Sequence, residues 1–485
     1  MARNPSLEMT IADAKNGAKN AKKVFKTQVV RHDGGNIMIP HDVPLTNVVE
    51  SLQRQIAADE EKKEVSAAIP AFPYDGAHAM HLALEELFGF VISENMKTMF
   101  GNTNQDITLT INAQGDKVTV PWGRFSVPGI EGLLMTSYQW EDERVIFQIR
   151  GEIKGKHQSK FDTLVERTKQ ILLTQSIYKG KVLRAKFTDN RGDRLPVPEI
   201  SFTDASGASA PIFNEVLTDK LEYDLLSYIQ HQDLARKLNG GTLKRGVLLA
   251  GPYGTGKTLT AAYVSKLAEE HGMTFIYADK PHDFYDAHLL ARAYQPAVIF
   301  VEDVEYIVGT DRTEEVNKML NVLDGPDTKH YDIMTIFTTN HGEKINPAMF
   351  RPGRVDVTLV IDPPDAAAAI RLARYYAENL IEDEDFTEAG ERLSGKIPAT
   401  IKEAVSRARL RAAMRTGDER ALIRNSDLVG AADSIENERT SFQTEMDDNA
   451  IRTMGLEIGR QVLAKSRQAF GNEMSKDHAS GVTLR

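Results

Sequence analysis

The sequence predicts an α/β protein whose core is a parallel sheet with helices on both faces, followed by a helical lid and preceded by an α+β region. Three observations predict it. From Arg245 onward short apolar runs, RGVLLAG, TFIYAD, AVIFVED and DIMTIFTTN, alternate with helical stretches, the texture of strands buried on both faces. The segment GPYGTGKT, Gly251 to Thr258, fits the P-loop pattern G-x-x-x-x-G-K-[ST] and lies between the first of those strands and a helix. Between Asp106 and Ile153 the texture is different: DITLTINA, DKVTVPWG, GLLMTSYQW and RVIFQIRGEI read as a small antiparallel sheet.

Composition sets the bounds. A chain of 485 residues with 41% apolar and 26% charged residues is long enough for two or three globular domains. A net charge of -10 argues against a surface devoted to nucleic acid, although a local basic groove would fit inside an acidic total. The absence of cysteine excludes disulfides, thiolate metal sites and cysteine nucleophiles. No apolar run approaches the roughly 20 residues that span a bilayer. The basic start, MARNPSLEMTIADAKNGAKNAKKVFK, has no apolar stretch and carries Glu8 and Asp13. The expectation is a soluble, cytoplasmic protein with a solvated N-terminal arm.

In chain order, residues 1–75 are expected to hold that arm and a surface helix, with Val48, Val49, Leu52 and Ile56 at helical spacing before a charge run. Residues 76–190 form the α+β domain: a helix through GAHAMHLALEELFGFVISENM, the antiparallel strands, a helix in HQSKFDTLVERTKQILLTQ and a strand in GKVLRAKF. His78 and His81 share a helix face, but with no third ligand nearby they are read as packing or surface residues. Trp122 and Trp140 are expected to pack the sheet. The Asp-, Gly- and Pro-rich stretch 191–211 reads as a linker, and its RGD tripeptide, Arg191 to Asp193, as a turn.

Residues 212–364 carry the chemistry, with a helical lid at 365–435 and a helical extension at 436–485. The segment Gly251, Pro252, Tyr253, Gly254, Thr255, Gly256, Lys257, Thr258 and Leu259 is expected to hold a nucleotide. Its glycines let backbone N–H groups wrap phosphates at a helix N-terminus, Lys257 neutralises phosphate charge, and the Thr258 hydroxyl is placed for magnesium. Forty residues on, VIFVEDVE ends a second strand of the same sheet, where ligands of open α/β sheets gather. By position Glu302 is the magnesium-side acid and Asp303 the group that orients or deprotonates the attacking water. The commoner order is Asp-Glu. Reversal keeps both charges and alters reach by one methylene at each site, which either attenuates the rate or is absorbed by the backbone.

The stretch TIFTTN followed by NPAMFRPGRVD resembles the second region of homology in the AAA clade of AAA+ ATPases. That resemblance, supported by NVLDG (Asn321 to Gly325), implies Asn340 as the polar sensor. It also implies Arg351 and Arg354 as arginine fingers that act on a nucleotide held by the neighbouring subunit. Over about residues 212 to 410 the core is most similar to the branch of the mitochondrial AAA translocase for the Rieske iron–sulfur protein, which also tends to carry Glu-Asp at this strand end and is taken to hydrolyse ATP. By the same resemblance Gly395 matches the glycine of the lid's Gly-Ala step, with Lys396 in place of the small residue. Phe284 and Tyr285 are either pore-loop residues or two aromatics at a helix start. The N-terminal 200 residues do not match that translocase, its membrane span is absent, and no H-E-x-x-H occurs, which excludes a fused zinc protease.

These readings imply an Mg-ATP hydrolase assembled as a homo-oligomeric ring, by expectation a hexamer, that remodels or translocates a macromolecular client, a protein in the first instance. The competing classes are a nucleic-acid-dependent motor or loader and a nucleotide-gated scaffold without turnover. The basic stretches KNAKK, RTKQILLTQSIYKGKVLRAK and KEAVSRARLRAAMR are mostly one face of expected helices, as solvated charged surfaces are.

Overall fold

The computed structural model describes residues 27–32, 35–40, 43–98, 101–104, 106–306, 314–324 and 330–441. The expected arm before residue 27, Gly325 of NVLDG and the expected helix beyond residue 441 lie outside them. The chain divides into two compact units: the first takes residues up to Ser176 except Thr110–Asp116 and Asp142–Arg144, and the second takes those two short segments together with the residues from Ile177 onward.

In the first unit a hairpin, β1 (Thr27–His32) and β2 (Gly35–Pro40), precedes helix α1 (Leu45–Glu60). The charge run then becomes an edge strand, β3 (Lys62–Ile69), rather than more helix. Helix α2 (Pro73–Phe88) starts with Pro at its first position and stops at Gly89, which takes positive φ. Strands β4 (Ile92–Ser93), β5 (Asn95–Thr98), β6 (Gly101–Asn104), β7 (Ile107–Thr110), β8 (Lys117–Val120), β9 (Gly123–Ser126), β10 (Gly132–Glu141) and β11 (Arg144–Lys154) follow, then helix α3 (Gln158–Gln175). Four of them join β3 in one sheet in the order β3-β11-β10-β9-β4. Of the four strands expected in one antiparallel sheet between 106 and 153, β10 and β11 join this sheet, whereas β7 and β8 pair in a two-stranded sheet of their own; the larger sheet also takes in residues 62–69, so residues 1–75 are not a separate region. The core joins Phe125, Leu134, Phe147, Ile149 and Ile153 of the sheet to Met80, Ala83 and Leu84 of α2 and Phe161 and Leu164 of α3. His78 is buried and His81 faces Glu85 at 3.4 Å; among the described residues no cluster of His, Asp and Glu is placed to hold a metal. Trp122 packs beside Tyr74, whereas Trp140 is 45% exposed and does not serve the core.

The second unit is built on seven strands in the order β13-β12-β15-β16-β17-β14-β18. They are β12 (Val182–Thr188), β13 (Arg194–Phe202), β14 (Arg245–Ala250), β15 (Thr274–Ala278), β16 (Ala297–Val301), β17 (Ile333–Thr339) and β18 (Val357–Val360). All neighbours are parallel except β13 against β12. This corrects two expected boundaries. β12 was assigned to the α+β domain and 191–211 to a linker, yet Val182 to Ala185 pair in parallel with Phe275 to Ala278, and residues 194–202 form the edge strand. The cause is local: the RGD turn is closed by the Asp189 carboxylate, which accepts from the backbone N–H of Arg191 (2.8 Å) and Asp193 (2.9 Å). A tight turn returns the chain antiparallel and leaves Val182, Leu183, Ala185 and Phe187 to bury against the sheet.

Helices α4 (Glu215–Leu221), α5 (Gln232–Leu238), α6 (Lys257–Glu270), α7 (Phe284–Ala293) and α8 (Glu314–Asp324) accompany this sheet. β16 and β17 are buried at every position, as a sheet covered on both faces requires. Phe284 is 2% exposed and packs against Phe337, so of the two alternatives the aromatic at a helix start is the one observed for it. The lid comprises α9 (Ala366–Tyr376), α10 (Thr387–Leu393), α11 (Pro398–Thr416) and a helix over 425–441. Its core includes Leu372, Phe386, Leu393, Ile401, Val405, Ile423 and Ile435. The helix over 425–441 runs through the expected boundary at 435/436, because Ile435 is still needed by that core. Ile212 packs on the lid core while its neighbour Phe213 belongs to the core beneath the sheet, so two consecutive residues tie lid to sheet.

Candidate active site

Strand order decides what meets at the site. β17 lies between β14 and β16, so the residue after its C-terminal end falls between the loop that follows β14 and the acids that follow β16. That residue is Asn340.

The loop after β14 is shaped for close backbone approach. A Cβ on Gly251 would stand 2.2 Å from the Ile361 carbonyl oxygen, so only glycine fits. Lys257, the first residue of α6, is 7% exposed, and its Nζ donates to the carbonyls of Gly251 (2.7 Å) and Pro252 (2.8 Å). Burial lowers its pKa, opposed by the charges of Asp303, Glu305 and Glu302. The Thr255 hydroxyl donates to Pro252 O (2.9 Å) and closes the turn, while Tyr253 and Leu259 are exposed. A cationic side chain satisfied by its own loop's carbonyls, at the N-terminus of a fourteen-residue helix, is a donor set that fits a polyphosphate. The lid closes one side: Ile397 Cδ1 lies 3.2 Å from where a Gly254 Cβ would be, and the Phe213 ring lies 3.5 Å from that position on Gly256. Gly395 takes φ +73° and its N–H donates to Pro364 O (2.9 Å), with no neighbour where a Cβ would point. Lys396 is turned to Glu436 of the lid.

The two acids face different partners. Glu302 Oε1 accepts from the Thr258 hydroxyl at 2.6 Å, and its other oxygen accepts from the Tyr277 hydroxyl. Asp303 Oδ1 accepts from Asn340 Nδ2 at 2.8 Å, and its backbone N–H donates to the Thr338 hydroxyl (3.1 Å). Asp303 has φ +51°, a left-handed conformation that aspartate tolerates better than most side chains. The shorter acid therefore occupies the position where the backbone favours it. Glu305, two residues on, accepts from the Asn340 backbone N–H (3.2 Å). Burial raises the Asp303 pKa, followed by the charges of Glu305 and Glu302.

The expected arginines are elsewhere. Gly246, near the start of β14, exchanges hydrogen bonds with Asp356: its N–H donates to the carboxylate (2.9 Å) and its carbonyl accepts from the Asp356 N–H (2.8 Å). The Arg354 carbonyl crosses Gly246 so closely that a Cβ there would meet it at 1.6 Å. The arginine segment is thus pinned to the opposite end of β14 from the nucleotide loop, about 17 Å away for the five residues from Gly246 to Gly251 at roughly 3.3 Å per residue. Arg354 Nη1 donates to Ala348 O (2.8 Å), and Asp324 of NVLDG lies 3.9 Å from its Nε; Arg351 is exposed. The structure brings Lys257, Thr258, Glu302, Asp303 and Asn340 together and leaves Arg351 and Arg354 outside that group. Tyr277, Thr338, Glu305, Phe213 and Ile397 escaped the sequence reading. Only Tyr277 carried a signal, as a polar residue near the C-terminal end of a strand in this sheet.

Residues 247–363 match the family model "ATPase family associated with various cellular activities (AAA)". Among curated proteins the chain is 29% identical over 261 residues to ATP-dependent zinc metalloprotease FtsH 3 of Sphaerobacter thermophilus, which covers 49% of this chain and 50% of the relative. It is 28% identical over 244 residues to the FtsH of Thermotoga maritima (45% and 38%) and 28% over 270 residues to that of Thermus thermophilus (51% and 41%). The chain spans half or less of the length of these relatives. The second unit contains an AAA ATPase domain of the AAA+ α/β fold, and such domains take ATP with Mg2+. Among the described residues no helix is long and apolar enough to cross a membrane.

Proposed function

We propose that the chain is an ATP hydrolase that works as a homo-oligomeric ring, six-membered by family analogy, and uses turnover to remodel a macromolecular client, a protein in the first instance, held through its first unit. One observation carries the reading: the nucleotide side of the site is complete within one chain, whereas the arginine pair is fixed at the far end of β14. Such a layout supports an active site completed between neighbours, because the far arginines can serve only a nucleotide outside their own chain.

The residues take separate roles. Lys257 exchanges its two carbonyl partners for phosphate oxygens. Thr258 and Glu302 would hold magnesium, which would supply neutralisation of phosphate charge. Asp303 accepts a proton from the attacking water, and Asn340 fixes the orientation of its carboxylate. Arg351, exposed, reaches the neighbour's γ-phosphate, and Arg354, held by Ala348 and Asp324, sets the geometry of that segment. Ile397 and Phe213 bring the lid against the nucleotide, with Gly395 as the turn that lets Ile397 do so. The Glu-Asp order supports a place beside the Rieske-translocase branch. The relatives are described as ATP-dependent zinc metalloproteases, and the chain shares with that description the ATP-dependent part, since no H-E-x-x-H occurs in its sequence.

The test is the steady-state ATP hydrolysis rate measured across protein concentration, alongside the mass of the assembly. A cooperative rise of specific activity with assembly is expected. An assembled protein that binds ATP and shows no turnover would instead establish the nucleotide-gated scaffold.

A further inference from the structure

We propose that Tyr277 is a positioning residue that fixes the metal-side carboxylate of Glu302 and thereby makes the reversed acid order workable. The inference rests on the ATPase reading above. Glu302 has one more rotatable bond than the aspartate usual at this position, so without restraint its carboxylate would sample several orientations around the metal site. Here both oxygens are engaged by donors from different elements: Thr258 at the start of α6 donates to one (2.6 Å), and Tyr277 near the end of β15 donates to the other. An ionised carboxylate only accepts, so a hydroxyl on each oxygen selects one rotamer without competing for a proton.

Tyr277 is itself restrained. Its ring lies 5.1 Å from that of Phe300, on the same strand that leads into Glu302. The Arg184 guanidinium covers the ring at 3.9 Å, and Arg184 is in turn paired with Asp279 at 3.3 Å. β12, the strand the sequence reading gave to another domain, thus reaches the site through Arg184. The longer acid at the metal position and the tyrosine that restrains it form one device.

The experiment uses the full chain and four forms: unaltered, Tyr277→Phe, Glu302→Asp and the double variant. Two quantities are measured in each: the Mg2+ concentration that half-saturates binding of a fluorescent ATP analogue, and the steady-state hydrolysis rate. Tyr277→Phe keeps the ring and its packing and removes only the hydroxyl. It is expected to raise the half-saturating Mg2+ severalfold and to lower the rate about tenfold, the scale of a lost hydrogen bond to a charged group. In the Glu302→Asp background the carboxylate is already withdrawn from Tyr277, so the same change is expected to alter both quantities less than about twofold. Equal losses in both backgrounds, or an unchanged Mg2+ requirement in Tyr277→Phe, overturn the proposal. If the unaltered chain binds the analogue and does not turn over ATP, the hydrolysis reading fails while the Mg2+ titration still decides the role of Tyr277.

Discussion

The Asn340 side-chain amide donates to the Asp303 carboxylate across 2.8 Å, while the backbone N–H of the same residue donates to Glu305 at 3.2 Å. One residue at the end of β17 therefore registers both acids beyond the metal-side one. The arrangement follows from topology, because β17 is the only strand between the one that feeds the nucleotide loop and the one that feeds the acids. It separates two functions that the sequence motif alone merges. On the proposed reading, holding nucleotide falls to the loop after β14 and orienting the base to the strand next to it.

Removing the Asn340 amide is accordingly expected to slow chemistry and spare binding. Asn340→Ala is predicted to lower the single-turnover rate by about 10²–10³, the range seen when one preorganised donor is deleted. Asp303→Asn, which removes the base itself, is predicted to cost about 10²–10⁴. Nucleotide affinity, measured by titration of a fluorescent analogue, should stay within threefold in both. A large loss of affinity with an intact rate at saturation would reverse the assignment of Asn340.

With Asp303 as the proposed base, the acid limb of the rate profile is expected to carry its signature. Its pKa stands above the ordinary 3.8, through burial first and the charges of Glu305 and Glu302 next, while Lys257 and Asn340 pull it down. A base acts when ionised, so the rate rises as pH climbs through that raised value. Glu305→Gln removes one like charge and is predicted to move the limb of kcat to lower pH, toward the ordinary carboxylate range. A limb that stays in place or moves upward would show that another group controls it.

The parts of this site legible in the sequence are those set by backbone geometry at fixed spacing. Gly251 to Thr258 and the acids at 302 and 303 were readable because a strand, a glycine loop and a helix N-terminus demand particular residues in a particular order. The short apolar strands of the second unit were readable for the same reason. β12 and β13 were not, since nothing in GKVLRAKF tells a strand of one sheet from a strand of another, and polar turn residues before β14 look like a linker whether or not they close a hairpin. β3 was hidden because Lys62, Lys63 and Glu64 continue a helix's charge run, and only pairing with β11 decides otherwise. Tyr277 met Glu302 through a contact between strands 25 residues apart in the chain, which no local period records.

The arginine segment calls for a mixing experiment. Arg351→Ala is predicted to abolish turnover, by about 10³ or more as for an arginine supplied in trans, with no change in the melting temperature because Arg351 is exposed. Arg354→Ala should lower both, since its guanidinium holds Ala348 O and lies beside Asp324. Mixing Arg351→Ala protomers with Asp303→Asn protomers should restore part of the activity, because some interfaces then pair an intact base with an intact arginine. Activity that stays at the level of the separate variants across all mixing ratios would place Arg351 in its own chain's chemistry.

The last prediction concerns stability and is independent of nucleotide. His288, on α7, is 4% exposed, its Nδ1 is buried with no hydrogen-bond partner, and Phe284 and Tyr331 flank its ring. Burial, reinforced by the cations Arg292 and Lys244, pushes its pKa down from 6.5 to about 3. A folded-state value below the unfolded one means that above pH 6.5 neither state holds the proton and the group is neutral to stability. As pH falls below that, the unfolded chain takes up a proton the folded chain refuses, and stability drops by at most about 1.4 kcal/mol per pH unit until pH nears the folded value. His288→Gln, which cannot titrate, is predicted to be less stable near neutrality through lost packing, yet to show a shallower decline between pH 6 and 4. Urea unfolding of the full chain at a series of pH values measures the two slopes. Buried His78 shifts in the same direction, so the comparison that counts is the difference in slope between the two proteins. Parallel slopes would mean that His288 gains its proton in the folded state as readily as in the unfolded one, and that its burial does not govern acid stability.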